Sequence, residues 1–490
     1  MKGTLVLLLG MIGSQLAASD LPRLRVEGDQ ILAGEKKIRL RGINWGWWNS
    51  KGTRYTEADM KQLSEWGANV LRLTFHYKDL LDSNGKWSEE RAAKIDQVVE
   101  WAEKYRQYII LDMHELPGGQ TPIHYCNGGK NAFWKDVKYQ NQFVELWERL
   151  ARRYRNRNAV GAYELMNEPL TEPLNPKRTS EIQRRTIQAI RKIDPEKIIV
   201  VTGDEMSGYK TSLRDIVKLD DPGILYTIHF YPGAFSSWLG NRGEDRGVSG
   251  TRDWFYFELP VTAPNDASEQ KLSILLRSTN NAGTAWFDDI TMRDSSGKIL
   301  FSSSFDRGTD SFSVERRPYG RLRHDPEIGH RKPGSLRIDA TDSYNSWTSP
   351  GLKILPGKQY RISGWIKLEK GTGSTYIGAA LFGVWNPTLP QLCEALKPAW
   401  TFARKYQVPV FVGEFSMIRS SGPEGFQAAE VAKRIQAIED AGFHWTYWNF
   451  HETTHPGTMA LQAQKKDGSC YPINQPLLNV LKKAWEKNRE

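Results

Sequence analysis

Two glutamates end short apolar runs: Glu168 in Tyr163-Glu164-Leu165-Met166-Asn167-Glu168-Pro169, and Glu414 in Val410-Phe411-Val412-Gly413-Glu414-Phe415. A pair of carboxyl groups can open an acetal. One protonates the leaving oxygen while the other attacks the carbon being left, provided the two face each other across roughly 5–5.5 Å. Other polar side chains end similar runs: Arg72 in Asn69-Val70-Leu71-Arg72, His114 in Leu111-Asp112-Met113-His114, His229 and Tyr231 in Ile228-His229-Phe230-Tyr231, and Trp448 in Tyr447-Trp448-Asn449. Any one of these has a duller explanation, since a strand-end carboxylate caps helices and a lone histidine or tryptophan packs a core. Joint placement at separate strand ends carries the reading. Among the other acids, Glu115 stands beside His114, Asp112 points to the interior by alternation, and Glu164 faces the same side as Glu168 but deeper. No zinc-like spacing, glycine-rich phosphate loop or Gly-x-Ser-x-Gly elbow occurs, so neither a catalytic metal nor a catalytic cofactor is expected.

The elements that must position these residues alternate along the chain. Strands are expected at Ile38–Asn44, Asn69–Thr74, Tyr108–His114, Val160–Asn167, Ile198–Thr202, Leu225–Phe230, Val410–Glu414 and Trp445–Asn449, each apolar on both faces. Helical spacing fills the intervals at Glu57–Trp66, Glu89–Tyr105, Asp136–Tyr154, Ser180–Ile193, Leu389–Tyr406 and Glu424–Ala441, with a weaker stretch at Leu213–Val217 and a closing one at Gln475–Lys487. Eight such units predict an α/β fold, a closed parallel (β/α)8 barrel whose functional side chains share the carboxyl face. Leu24–Leu40 reads as a hairpin, turning at Glu27-Gly28-Asp29, that covers the barrel floor.

One interval breaks the rhythm, because about 150 residues separate the sixth strand from the next helix, far beyond an ordinary loop. From Asp253 to Leu381 the texture is period-2 strands punctuated by Gly, Pro, Asn and Asp, at Trp254–Leu259, Lys271–Ser278, Ala285–Met292, Ser335–Ala340, Tyr360–Leu368 and Tyr376–Leu381. An all-β sandwich inserted on the catalytic face follows. The expected organisation is a signal peptide at 1–19, barrel at 20–233, insert at 234–386 and barrel again at 387–490. Lys2 before an apolar run, then Ala17-Ala18-Ser19, gives the signal and hence a secreted protein. The 490 residues, 25% charged, suit a globular chain with an ample core, and the 18 Trp exceed what packing needs. The net charge of +10 accompanies no nucleic-acid-reading motif, so neither nucleic acid nor a membrane is an expected partner, and a monomer is expected. With three Cys, disulfides do not hold the fold together. Cys393 is expected as a buried thiol, and Cys126 and Cys470 are the candidates for a bridge.

The Asn167-Glu168-Pro169 and Gly413-Glu414-Phe415 motifs, with Arg72, His114, His229, Tyr231 and Trp448 in order on their strands, resemble glycoside hydrolase family 5, a family of retaining barrels. The resemblance implies Glu168 as general acid and base and Glu414 as nucleophile. It gives Arg72 and Tyr231 as the partners that keep Glu414 ionised, and Asn167 as the holder of the sugar 2-hydroxyl. His114 and His229 become positioning groups and Trp448 the stacking floor. Trp47 and Trp48, with His76, Tyr77 and Trp134, would line flanking sugar subsites. The loop His114–Gln120 resembles the β-1,3-glucanase branch and Tyr447-Trp448-Asn449 the cellulase branch. The implied substrate is a β-glycan cut as by an endo-β-1,4-glucanase. β-1,3-Glucanase, β-mannanase, transglycosylase and a non-catalytic glycan-binding protein remain the alternatives. In the insert, Ala285–Ile290 and Leu355–Trp365 resemble carbohydrate-binding modules of families 4, 9 and 22, in reversed order, as a circular permutant joined through Asp294–Lys298 would have them. By that resemblance Tyr344, Trp347 or Trp238 would stack on glycan, and Asp289 and Asp306 would hold a structural calcium; alternatively the insert only walls off the cleft.

Overall fold

The computed structural model describes residues 21–489 apart from 49–52, 123–129, 214–215, 217, 233–239, 266, 315–320, 340–343, 386, 420–424, 454–458 and 466. The expected signal segment, Trp238 and Cys126 lie outside these residues.

Eight parallel strands close into a barrel: Arg41–Trp45, Val70–His76, Tyr108–Glu115, Val160–Glu164, Ile198–Thr202, Ile224–His229, Val410–Glu414 and His444–Tyr447. Nearly every residue on them is buried, because side chains pointing inward fill the barrel while their neighbours pack beneath the helices. The fourth strand is shorter than its apolar run, ending at Glu164 rather than Asn167. The chain then leaves the sheet to deliver Asn167 and Glu168 onto the carboxyl face. Helix boundaries follow local chemistry. Thr56 and Asp59 form a capping box at Glu57–Trp66, which stops at Gly67 with φ 96°, and Thr388 with Gln391 does the same for Leu389–Tyr406. The fourth-strand helix begins earlier than its apolar spacing, at Pro176, capped by Asn175. The expected floor hairpin, Leu24–Glu27 with Gln30–Ala33, gains a third strand at Lys36–Ile38. Leu213 and Ile216 are buried, and most of the rest of that weak helical stretch is outside the described residues.

The insert is all antiparallel and has its own apolar core, built from residues such as Leu259, Ile274, Phe287, Ile338, Ile362 and Ile377. The strands expected at Tyr360–Leu368 and Tyr376–Leu381 are one strand, Gln359–Trp385. Its first half pairs with Val248–Thr262 and Thr284–Asp294, and its second half with Ala267–Thr279. The Lys370–Gly373 stretch between them, with φ 54° at Lys370, carries the chain from one set of partners to the other. The ladder thus turns a corner where the sequence reads as a loop. Short edge strands at Gly240–Arg242, Ile299–Ser303, Ser313–Val314, Arg321–Asp325, Tyr344–Thr348 and Leu352–Lys353 were not legible as runs. The Asp294–Lys298 turn exists, closed by Asp294 N donating to the Lys298 carbonyl at 3.1 Å. Cys393 is exposed rather than buried, on the outer face of its helix, and Cys470 is a free, exposed thiol.

Candidate active site

Arg72 is the centre of the barrel mouth and is fully buried. Its Nε and Nη2 donate to the two Glu164 oxygens at 2.7 and 2.9 Å, Nη2 also donates to Asn167 Oδ1 at 3.0 Å, and Nη1 donates to Asn44 Oδ1 at 3.0 Å and Glu414 Oε1 at 2.7 Å. Asp112 Oδ2 lies 3.0 Å from Nη2. Strand adjacency explains the gathering: Asn44 stands beside Arg72, and Asp112 beside Glu164, in parallel register. Burial opposes the charge on Arg72, but Asp112, Glu164 and Glu414 outweigh it and hold the guanidinium pKa well above its ordinary value. Burial pushes Asp112 up to about 7 despite Arg72, and raises Glu164 as well.

Glu414 is gripped at both oxygens, by Arg72 at Oε1 and by the Tyr231 hydroxyl, which donates to Oε2 at 2.9 Å. Burial, with the charges of Glu414 and Glu168, raises Tyr231 well above its ordinary pKa, so it remains a donor. A register shift between Val412 and Glu414 re-aims the glutamate at the strand end. Gly413 makes room there, since a Cβ would stand 2.8 Å from Thr227 Oγ1 and 3.4 Å from His229 Nε2.

Glu168 sits at φ 44°, a region costly for a residue with a Cβ and further disfavoured before Pro169. His229 Nδ1 is 2.8 Å from Glu168 Oε1 and 3.6 Å from Glu414 Oε2. Burial lowers the His229 pKa to about 4, so a neutral imidazole shares a hydrogen bond with Glu168 through Nδ1. Facing atoms of Glu168, His229 and Glu414 lie within 4.8 Å of one another. A metal ion would also accept that donor set, but its facing atoms are engaged by Arg72, Tyr231 and each other, an arrangement suited to moving protons. Facing carboxylate atoms this close fit double displacement, in which the two carboxyl groups stand about 5–5.5 Å apart.

Above this floor, Trp448 stacks on His114 (centroids 5.4 Å apart, 14° between planes), and Trp47 meets both rings edge-on. Trp48, like Trp448, is largely buried and packs with the apolar core of the barrel. Trp134, expected at a subsite, is buried as well, its indole N–H donating to the Gln120 carbonyl at 2.8 Å. His76 lies 3.1 Å from Glu115 at the mouth, with Tyr77 beside it. Sequence reasoning passed over Asn44, Asp112, Glu164 and Gln120. Gln120 is fully buried and donates to the carbonyls of both His114 and Asn167 at 2.9 Å, tying two catalytic-face loops together. In the insert, Trp347 is buried in the core and the side chain of Tyr344 lies outside the described residues. Asp289 faces His330 and Arg331, and Asp306 faces Lys332.

Residues 31–259 match the model of the cellulase family, glycosyl hydrolase family 5. That stretch is similar to the family 5 glycosyl hydrolases. It is 31% identical over 201 residues to endoglucanase C of Acetivibrio thermocellus, covering 39% of this chain and 57% of that protein. Cellodextrinase A of Ruminococcus flavefaciens is 31% identical over 204 residues, covering 39% and 58%. The chain therefore spans less than two thirds of the length of these relatives. In fold it is similar to the Thermotoga maritima Cel5A structure solved with cellobiose, with a TM-score of 0.51 and 15% identity over 91% of this chain and 97% of that one. The closed eight-stranded barrel is the one expected from the alternating strands and helices.

Proposed function

We propose that this protein is a secreted retaining β-glycosidase, most simply an endo-β-1,4-glucanase, with Glu168 as acid and base and Glu414 as nucleophile. The observation that carries this reading is the buried carboxylate pair, within 4.8 Å, with Glu414 gripped at both oxygens by Arg72 and Tyr231. Glu414 attacks the anomeric carbon while Glu168 gives its proton to the departing glycosidic oxygen, forming a glycosyl ester on Glu414. Ester formation removes the like charge beside Glu168, which then takes a proton from water as that water attacks the same carbon. Asn167, held by Arg72, meets the sugar 2-hydroxyl, and Trp448 carries the ring. The endoglucanase and cellodextrinase relatives favour β-1,4-glucan over mannan or β-1,3-glucan as substrate.

The insert serves as a glycan-holding accessory on this reading. Exposed Tyr256 lies 5.7 Å from the ring of half-buried Trp365, and Trp254 lies 5.9 Å from His330, which stacks on Trp365. These are flat apolar faces on the insert, away from its core, of the kind on which sugars stack. The test is sugar release from β-1,4-glucan, β-1,3-glucan, mixed-linkage glucan and mannan by the wild type, Glu168→Gln and Glu414→Gln. Preference for β-1,4-glucan and loss of at least about a thousandfold in both variants are expected. Undiminished release by either variant overturns the mechanism. A Trp254→Ala, Trp365→Ala double variant should bind insoluble glucan more weakly while cleaving short oligosaccharides at the wild-type rate.

A further inference from the structure

Asp112 lies beneath the sugar-facing layer and contacts none of the groups that would touch substrate except His114. Its Oδ2 is 2.7 Å from His114 Nδ1 and 3.0 Å from Arg72 Nη2. The opposite ring nitrogen, His114 Nε2, faces Asn167 Nδ2 at 3.4 Å. The orientation of the Asn167 amide is fixed independently, since its Oδ1 accepts from Arg72 Nη2. The Asn167 atom turned toward His114 is therefore the NH2 donor, and a donor requires a lone pair on Nε2. Burial lowers the His114 pKa to about 4, so the ring carries one proton, and both partners place it on Nδ1.

We infer that Asp112 is a positioning residue that locks His114 in the Nδ1–H tautomer, so that His114 presents an acceptor to Asn167. The inference rests on the proposed glycosidase reading for its kinetic consequence, though not for the tautomer itself. With the other tautomer, Nε2–H and the Asn167 amide N–H would oppose each other as two donors. Asn167 would then be pushed from the place where it meets the 2-hydroxyl, a contact that strengthens in the transition state. Asp112 Oδ1 has no hydrogen-bond partner among the described residues, so a proton taken there leaves Oδ2 an acceptor and the lock intact. Binding of the ground-state sugar depends less on this contact, so the effect should fall on kcat.

Ring 15N chemical shifts of histidine-labelled protein at pH 7, with His114 assigned by a His114→Gln variant, read the tautomer directly and without substrate. The wild type should show Nδ1–H. Asp112→Ala, which removes the acceptor, should move His114 toward Nε2–H and lower kcat on β-1,4-glucan at least about tenfold, with KM within about threefold. Asp112→Asn offers an amide oxygen in the same place and should restore both the tautomer and most of kcat. A wild-type Nε2–H resonance overturns the inference. So does an Asp112→Ala variant with unchanged kcat, or an Asp112→Asn variant as impaired as Asp112→Ala. If Asp112→Ala fails to fold, the wild-type and Asp112→Asn spectra still decide. If the wild type cleaves no β-glycan, the functional reading fails while the spectra still test the tautomer.

Discussion

Removing the Tyr231 hydroxyl separates the two chemical steps of the proposed reaction. The hydroxyl donates to Glu414 Oε2 at 2.9 Å, and Arg72 holds Oε1 at 2.7 Å. Tyr231→Phe keeps the ring and deletes one hydrogen bond to a charged acceptor, worth about 1.5–3 kcal/mol. In the first step the carboxylate loses charge to the new ester, so the missing donor weakens the ground state at least as much as the transition state and does not slow attack. In the second step Glu414 departs as an anion and the donor is needed increasingly as the ester breaks. Deglycosylation should therefore slow by about 10- to 100-fold, from about 1.4 kcal/mol per decade. With a dinitrophenyl β-cellobioside in stopped flow, the variant should release a stoichiometric burst of phenolate, then turn over slowly. kcat and KM should fall together because the glycosyl-enzyme accumulates. An intact fold by thermal denaturation, with no burst and a deglycosylation rate within threefold of the wild type, would refute the reasoning.

The pH dependence of stability has a cleanly isolated component at His444, which is buried on the seventh-to-eighth side of the barrel, accepts from Leu40 N at Nδ1, and has its pKa lowered by burial to about 3. Below pH 6.5 the unfolded chain takes up a proton that the folded chain refuses, so stability present above that pH is lost as pH falls. His444→Asn keeps an acceptor and removes the titration, and the wild type should lose about 1.4 kcal/mol per pH unit relative to it between pH 6 and 4 in urea denaturation. Equal slopes would sink the assignment. Gly413→Ala should cost activity more than stability, because its methyl would press Thr227 Oγ1 and His229 Nε2 and shift His229 from Glu168. A loss of kcat of about tenfold with a fall in Tm of only a few degrees is expected, and an unchanged kcat would count against a positioning role for His229.

The barrel was legible because each strand is a continuous apolar run, and because polar residues at the ends of such runs have few structural uses. The partners inside the site were not. Alternation places Asp112 inward, but only closure of the barrel brings Asp112, Glu164 and Arg72 together from three neighbouring strands. Trp134 was misread because an aromatic in a loop carries no periodicity to say which way it turns; it turned into the core. In the insert, Lys370–Gly373 has the composition of a turn ending a strand, yet the strand continues through it because each half has its own pairing partners. Local propensity marks the corner and cannot say whether the ladder resumes.

The charge balance of the site shows why the unforeseen acids matter as much as the expected ones. One guanidinium faces Asp112, Glu164 and Glu414, all buried, and cannot neutralise three carboxylates. Burial raises Asp112 to about 7, close enough to neutrality for it to take up a proton, and raises Glu164 as well. Neither is proposed to react, and a proton on either leaves the Arg72 and Tyr231 bonds to Glu414 in place. The deeper acids thus relieve the excess negative charge while still holding Arg72 in position. Replacing them with apolar residues would free Arg72 to swing, and the nucleophile would lose its fixed aim along with part of its electrostatic support.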